Sequence, residues 1–209
     1  IVIPMSKLNN VIGISKINNE LVVEAESGIT VYALSEWLHN KGYALFGLPH
    51  MGFRDVTIGG SIATGSHGST TKHAGVISNI VKAIEFVDGQ GNVHYLERYN
   101  SDQDVFKALS ASLGMLGIIT NIKLKIQKQF NLAVNITYHH DSEIIENQGL
   151  ISSVKGCDYG QLNWFPSIGK FMKTCGIKTT KNSFRGANNE LLNPKIPNFI
   201  VKPFKKILQ

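Results

Sequence analysis

The residues with the clearest chemical potential form one run, Thr57-Ile58-Gly59-Gly60-Ser61-Ile62-Ala63-Thr64-Gly65-Ser66-His67-Gly68-Ser69. Consecutive small residues let several backbone N–H groups converge on one anion with no side chain in the way. A helix that starts there adds its positive end, and the combination suits a diphosphate. The hydroxyls of Thr57, Ser61, Thr64 and Ser66 add donors. The same composition also makes a tight packing turn, and glycine content alone does not separate the two readings. Better-defined motifs are excluded. No Gly-Lys-Ser/Thr ends the run, it is not G-x-G-x-x-G, and G-x-S-x-G is absent. If an anion sits here, the run is expected to line a concave surface with several N–H groups left open.

Other reactive side chains carry less. His67 reads equally as a ligand neighbour or a satisfied interior histidine, and no H-x-x-x-H pair points to a metal. His39, His50, His73 and His94 read as incidental. Cys157 and Cys175 are too few for a disulfide scaffold or a four-thiolate site, and are expected to be reduced packing residues.

The elements that must position this run are legible in part. Glu20 to Ala25 is a β-branched strand, and Thr30 caps a helix with its apolar stripe on Val31, Leu34 and Leu38, stopped by Gly42. Tyr43 to Leu48 returns as a strand. Ile80 to Val87 and Val93 to Leu96 flank Asp88-Gly89-Gln90-Gly91, a hairpin signal. Ser101 and Asp104 resemble a capping box for a helix over 101–113, and residues 118–126 alternate as a strand. Leu132 to Tyr138 alternates likewise, 142–154 suits a helix, and Gln161 to Phe165 a strand ended by Pro166. From Thr179 the pattern fades. Strands and helices without strict alternation predict an α+β fold with a mixed sheet and flanking helices.

The net charge of +6 is uneven: residues 1–154 hold 11 Lys/Arg against 13 Asp/Glu, and residues 155–209 hold 10 against 2. No RNA-binding aromatic motif or helix-turn-helix pattern accompanies the lysines, which argues against a nucleic-acid partner. No apolar run reaches the ~18 residues of a membrane helix, so membrane association is not indicated in this segment. Ile1-Val2-Ile3 reads as the inside of a strand, and the chain is expected to be part of something longer. The compartment is left open.

The string G-S-I-A-T-G-S-H-G-S, continued by Val76 to Val87, resembles the flavin-binding core of the vanillyl-alcohol-oxidase superfamily, and within it the aldonolactone and alditol oxidases. Further matches follow in order: Glu24-Ala25-Glu26-Ser27-Gly28, Gly47-Leu48-Pro49-His50, Ser112-Leu113-Gly114-Met115-Leu116-Gly117-Ile118-Ile119-Thr120, and Tyr159 to Ser167. The resemblance implies FAD as cofactor in a PCMH-type domain. Thr57, Gly59, Gly60 and Ser61 would meet the diphosphate and isoalloxazine edge. Thr64, Gly65, Ser66, His67 and Gly68 would continue along them, and the backbone of Ile119 would meet the adenine end. It further implies a flavin domain over 1–128, without its first portion, and the beginning of a substrate domain over 129–209.

The implied reaction is oxidation of a sugar-1,4-lactone or polyol by hydride transfer to flavin, with oxygen or another acceptor reoxidising it. Relatives place a His-bearing R-x-x-G-x-G-H-S-like segment ahead of the matched part and catalytic acid/base residues beyond it. No catalytic residue is therefore named, and these 209 residues alone are expected to hold FAD poorly and oxidise nothing. A different class of reading is a non-catalytic remnant or binding module that keeps the fold. A cytokinin or cell-wall-precursor branch fits less well, because of the G-S-H-G-S string and Trp164-Phe165-Pro166.

Overall fold

The computed structural model describes residues 3–47, 55–70, 72 and 75–181. They fall into two compact units, one of residues 1–68 and 74–129 and the other of residues 69–73 and 130–209.

The first unit is built on a six-stranded sheet. Its strands are β1 (Val11–Ile17), β2 (Glu20–Glu26), β3 (Tyr43–Leu45), β4 (Val81–Val87), β5 (Val93–Glu97) and β6 (Ile118–Lys128). Their order is β1-β2-β6-β4-β5, with β3 on the end of β6. The expected mixed sheet resolves into pairings that are antiparallel throughout the described strands. Period-two alternation puts Val23, Ala25, Ile84, Ile122 and Leu124 on one face, where all are buried. Helices α1 (Val31–Asn40), α2 (Ile58–Ala63) and α3 (Gln103–Leu109) supply Leu34, Leu38, Ile58, Ile62, Phe106 and Leu109 to the same core.

Local chemistry sets the ends. The Thr30 hydroxyl accepts from Ala33 N–H and starts α1 as expected. The expected 101–113 helix is shorter. Asp102 rather than Ser101 caps it, its carboxylate accepting from the amides of Asp104 and Val105, while the Ser101 hydroxyl accepts from Glu97 N–H. It stops at Leu109 because Ala111, Leu113 and Gly114 take positive φ values of 75°, 52° and 77°. Ile3 lies exposed outside any strand, and Ile1 and Val2 are outside the described residues, as are Leu48 and residues 182–209.

The second unit is a three-stranded antiparallel sheet of β7 (Asn131–His140), β8 (Tyr159–Phe165) and β9 (Lys170–Thr179), in the order β7-β9-β8. The helix expected over 142–154 is in two pieces, a π-helical stretch Glu143–Gln148 and α4 (Leu150–Val154), broken at Gly149 with φ +69°. The reduced-cysteine expectation is corrected: Cys157 and Cys175 form a disulfide, with Cα atoms 5.4 Å apart. The reason is β9, whose pairing sets Cys175 beside Gly160, three residues from Cys157. Without that strand recognised, the two thiols had no reason to meet.

Candidate functional site

The glycine-rich run is a short helix wedged between two strand ends. After β2 the chain crosses at Ser27 and Gly28, and Gly28 N–H donates to Leu8 O at 2.8 Å. Only glycine fits, because an added Cβ would lie 1.9 Å from Met5 O. Ser27 then ties three segments together. Its N–H donates to Thr120 O, its hydroxyl to Ile119 O, and its own carbonyl accepts from Gly59 N–H at 2.8 Å. A bridge between Thr30 and Thr57 seats the start of α2 beside the start of α1. Thr57 caps α2, its hydroxyl accepting from Gly60 N–H at 3.2 Å.

The far end of α2 is held by the loop leading to β6. Ala111 N–H donates to Ile62 O and Leu113 N–H to Ala63 O, at 3.0 and 2.9 Å, which satisfies carbonyls that a helix terminus leaves open. Gly117 lets that loop pass under β4, since a Cβ there would sit 2.3 Å from Val87 O. Beyond α2 the chain turns at Gly65, φ +65°, and Ser66 N–H returns to Ser61 O at 2.8 Å. His67 then bridges Val76, flanked by Gly68 N–H donating to Gly75 O.

The structure therefore gathers Thr57, Gly59, Gly60, Ser61, Thr64, Gly65, Ser66, His67 and Gly68 into one helix, turn and bridge, with Ile119 joined to them through Ser27. The expectation of several open amides is overturned. The N–H groups of Gly59, Gly60, Ser61, Thr64, Gly65, Ser66 and Gly68 all have internal acceptors. Five of these bonds close within the helix, its cap and the turn after it, and Ser27 and Gly75 accept the other two. The Thr64 hydroxyl is also used, donating to Gly60 O at 2.9 Å.

Binding capacity is left elsewhere. The Ser61 hydroxyl is fully buried with no hydrogen-bond partner among the described residues, an arrangement that costs stability unless something else completes it. Gly59 packs so closely that a Cβ would meet Ser27 Cβ at 2.8 Å. Gly60 faces the other way, exposed, and among the described residues a Cβ there would meet only the Thr57 hydroxyl, at 3.0 Å. Thr64 and His67 are exposed with it. A bare backbone strip beside an uncompleted buried hydroxyl fits a flat, polar-edged group. Ser27, Gly28 and the Ala111–Leu113 turn are the residues whose positioning role sequence reasoning did not assign. Of the motif Gly47 to His50, only Gly47 is among the described residues; His50 and His73 lie outside them.

The charged groups belong mainly to the other face of the sheet and to turns. Hydrogen bonds from Lys125 and then Lys82 hold the Glu20 carboxyl below its ordinary pKa, and Lys82 is only 5% exposed. The His94 ring, then Asn92, lowers Asp88 in the β4–β5 turn, so His94 has a structural partner. In the second unit the Lys178 amide, then Lys72, lowers Asp158. Among the described residues no three His, Cys, Asp or Glu side chains are grouped to hold a metal ion. No helix there is long and apolar enough to cross a membrane.

The architecture is a helix-backed antiparallel sheet with a glycine-lined helix start, and comparison with known proteins identifies it as an FAD-binding fold of PCMH type. Residues 1–97 match the family model described as FAD binding domain. The match is to a flavin-binding family, and the cofactor it supports is FAD. The chain is 31% identical to a D-arabinono-1,4-lactone oxidase of Kluyveromyces lactis over 177 residues, 84% of this chain and 33% of the relative. It is 34% identical to an L-gulonolactone oxidase of Mus musculus over 164 residues, 78% of this chain and 36% of the relative. The chain thus spans about a third of the length of the curated relatives it matches. In fold it is similar to a cholesterol oxidase from B. sterolicum, with TM-score 0.74, 16% identity, and coverage of 98% of this chain and 41% of that one.

Proposed function

We propose that this chain belongs to an enzyme that oxidises the alcohol of a sugar-1,4-lactone or a related polyol. Residues 1–128 would serve as flavin domain and 129–209 as the beginning of a substrate domain. The observation that carries this reading is the similarity to D-arabinono-1,4-lactone and L-gulonolactone oxidases across about four-fifths of the chain. Bound FAD supplies a two-electron acceptor for the substrate's carbon-bound hydrogen, and oxygen or another acceptor takes the electrons on. The chain's own residues hold and orient. The open strip of Gly60, Thr64 and His67 takes the flavin edge. The Ser61 hydroxyl completes its hydrogen bonding on the bound group, while Thr57, Gly59, Gly65, Ser66 and Gly68 keep the backbone in place. Ile119 acts through its carbonyl, which fixes Ser27 beneath the helix.

The test uses the full-length protein purified with and without FAD. Flavin absorbance gives stoichiometry. Oxygen uptake or dye reduction with L-gulono-1,4-lactone, D-arabinono-1,4-lactone and xylitol gives the reaction. Ser61→Ala is expected to leave the apo-protein at least as stable as wild type, because the lost hydroxyl has no partner, and to weaken FAD binding by roughly tenfold. Stoichiometric flavin with none of the three substrates oxidised would contradict the reaction, and FAD affinity untouched by Ser61→Ala would contradict the role of that hydroxyl.

A further inference from the structure

The second unit holds a row of polar atoms that its own fold leaves unused. Antiparallel register sets Gln161 of β8 opposite Thr174 of β9, and Thr174 opposite Ile136 of β7. The adjacent row on the same face is Asn163, Met172 and Tyr138. Thr174 is 1% exposed, and its hydroxyl is buried with no partner. The Gln161 amide donates from Nε2 to Asn163 Oδ1 at 3.0 Å, which fixes the side chain and leaves Oε1 buried and unpartnered. A third such atom, the Ser69 hydroxyl, lies at the free edge of β8, where Ser69 O accepts from Gly160 N–H at 2.7 Å. Native proteins tolerate few buried polar atoms without partners, so two facing each other on the sheet and a third in the segment along its edge call for an explanation.

We infer that Ser69, Gln161 and Thr174 form a subsite that reads the hydroxyl groups of an uncharged polyhydroxy substrate. The inference rests on the lactone or polyol oxidation proposed above. Two hydroxyls, each donor and acceptor, and one fixed carbonyl acceptor match the groups of a sugar. No charged side chain stands in the Gln161–Thr174–Ile136 or Asn163–Met172–Tyr138 row; Lys170 enters only in the next row on that face, opposite Phe165 and His140. Ile136, Met172 and Tyr138 supply an apolar neighbourhood for the C–H face of the ring or chain.

The experiment compares the full-length, FAD-loaded protein with Thr174→Val, Thr174→Ser and Gln161→Met. It measures KM and kcat for xylitol and D-arabinono-1,4-lactone, and anaerobic binding of each compound by calorimetry. Thr174→Val and Gln161→Met are expected to weaken binding and raise KM by about tenfold, the cost of leaving a substrate hydroxyl unpaired. Flavin content should hold, kcat should change less, and Thr174→Ser should restore binding. Unchanged binding with a raised melting temperature would show a hydroxyl that only packs, and would overturn the inference. Loss of flavin from Thr174→Val would assign the row to the cofactor and overturn it equally. A wild-type protein that oxidises neither compound would overturn the proposed reaction itself, and this inference with it. Wild-type turnover with unaffected variants would overturn the inference alone.

Discussion

The glycine-rich helix of the first unit and the β8–β9 hairpin of the second satisfy their backbones equally well and differ in what they leave over. In α2 the glycine amides are tied to Ser27, Thr57 and the turn that follows, and one side chain, Ser61, keeps unused capacity. In the hairpin the ladder consumes the main chain, and Gln161 and Thr174 keep the unused atoms. Glycine here clears space more than it offers donors. Capacity to bind sits in a few buried side chains that only the fold can reveal.

The frame of the first unit breaks most sharply at Gly28. Gly28→Ala forces a methyl group to within 1.9 Å of Met5 O, with Leu8 O 2.7 Å away. It is expected to cost more than about 3 kcal/mol, the upper range for overpacking, because the obstacle is backbone. Denaturant melts measured on the full-length protein check this, and a variant as stable as wild type would remove Gly28 from the frame that seats α2.

In the second unit the equivalent frame is covalent. Cys157→Ser, or reduction, opens a link across 18 residues of sequence. Loops of this length are stabilised by roughly 3 kcal/mol, so protection from hydrogen exchange should fall in residues 159–179 and hold in the β2–β6 pair. Equal loss in both pairs would mean that the two units do not unfold separately.

The smallest effect concerns charge. Glu20 has its pKa lowered in the folded protein by Lys125 and Lys82, so its contribution is present above the unfolded glutamate value, about 4.3. That contribution is lost as pH falls through the lower folded value. Glu20 is 30% exposed, so solvent screening limits it to about 1 kcal/mol. Stability of Glu20→Gln should be lower than wild type at pH 7, and the difference should shrink below pH ~4. A difference independent of pH would assign the loss to packing.

Much of the first unit was legible because its signals are local. Thr30 capping α1, the Asp88–Asn92 turn and the alternation of 118–126 are chemistry within a few residues. The string was legible as a site for the same reason, and its resemblance named the cofactor. Much of what escaped depends on distant partners. Of the string's amides only that of Gly59 waits on a distant acceptor, Ser27. Most of the others close within the string once it turns into a helix, which its glycines did not announce. The helix over 101–113 ran too long because Ala111 and Leu113 adopt positive φ, which their residue types disfavour, to meet carbonyls of α2. Lys170 to Thr179 went unread as a strand because lysines and threonines interrupt its apolar pattern, and the disulfide escaped with it.

FAD is proposed to lie on the open side of α2, against Gly60. Gly60→Leu tests it with folding and binding separated. The added side chain points into open space apart from the Thr57 hydroxyl, and leucine favours helix over glycine by about 0.8 kcal/mol. The full-length apo-protein should therefore melt at or above the wild-type temperature, while titration with FAD shows affinity reduced by at least an order of magnitude. Wild-type FAD affinity in a stable Gly60→Leu protein would place the flavin elsewhere and contradict the account.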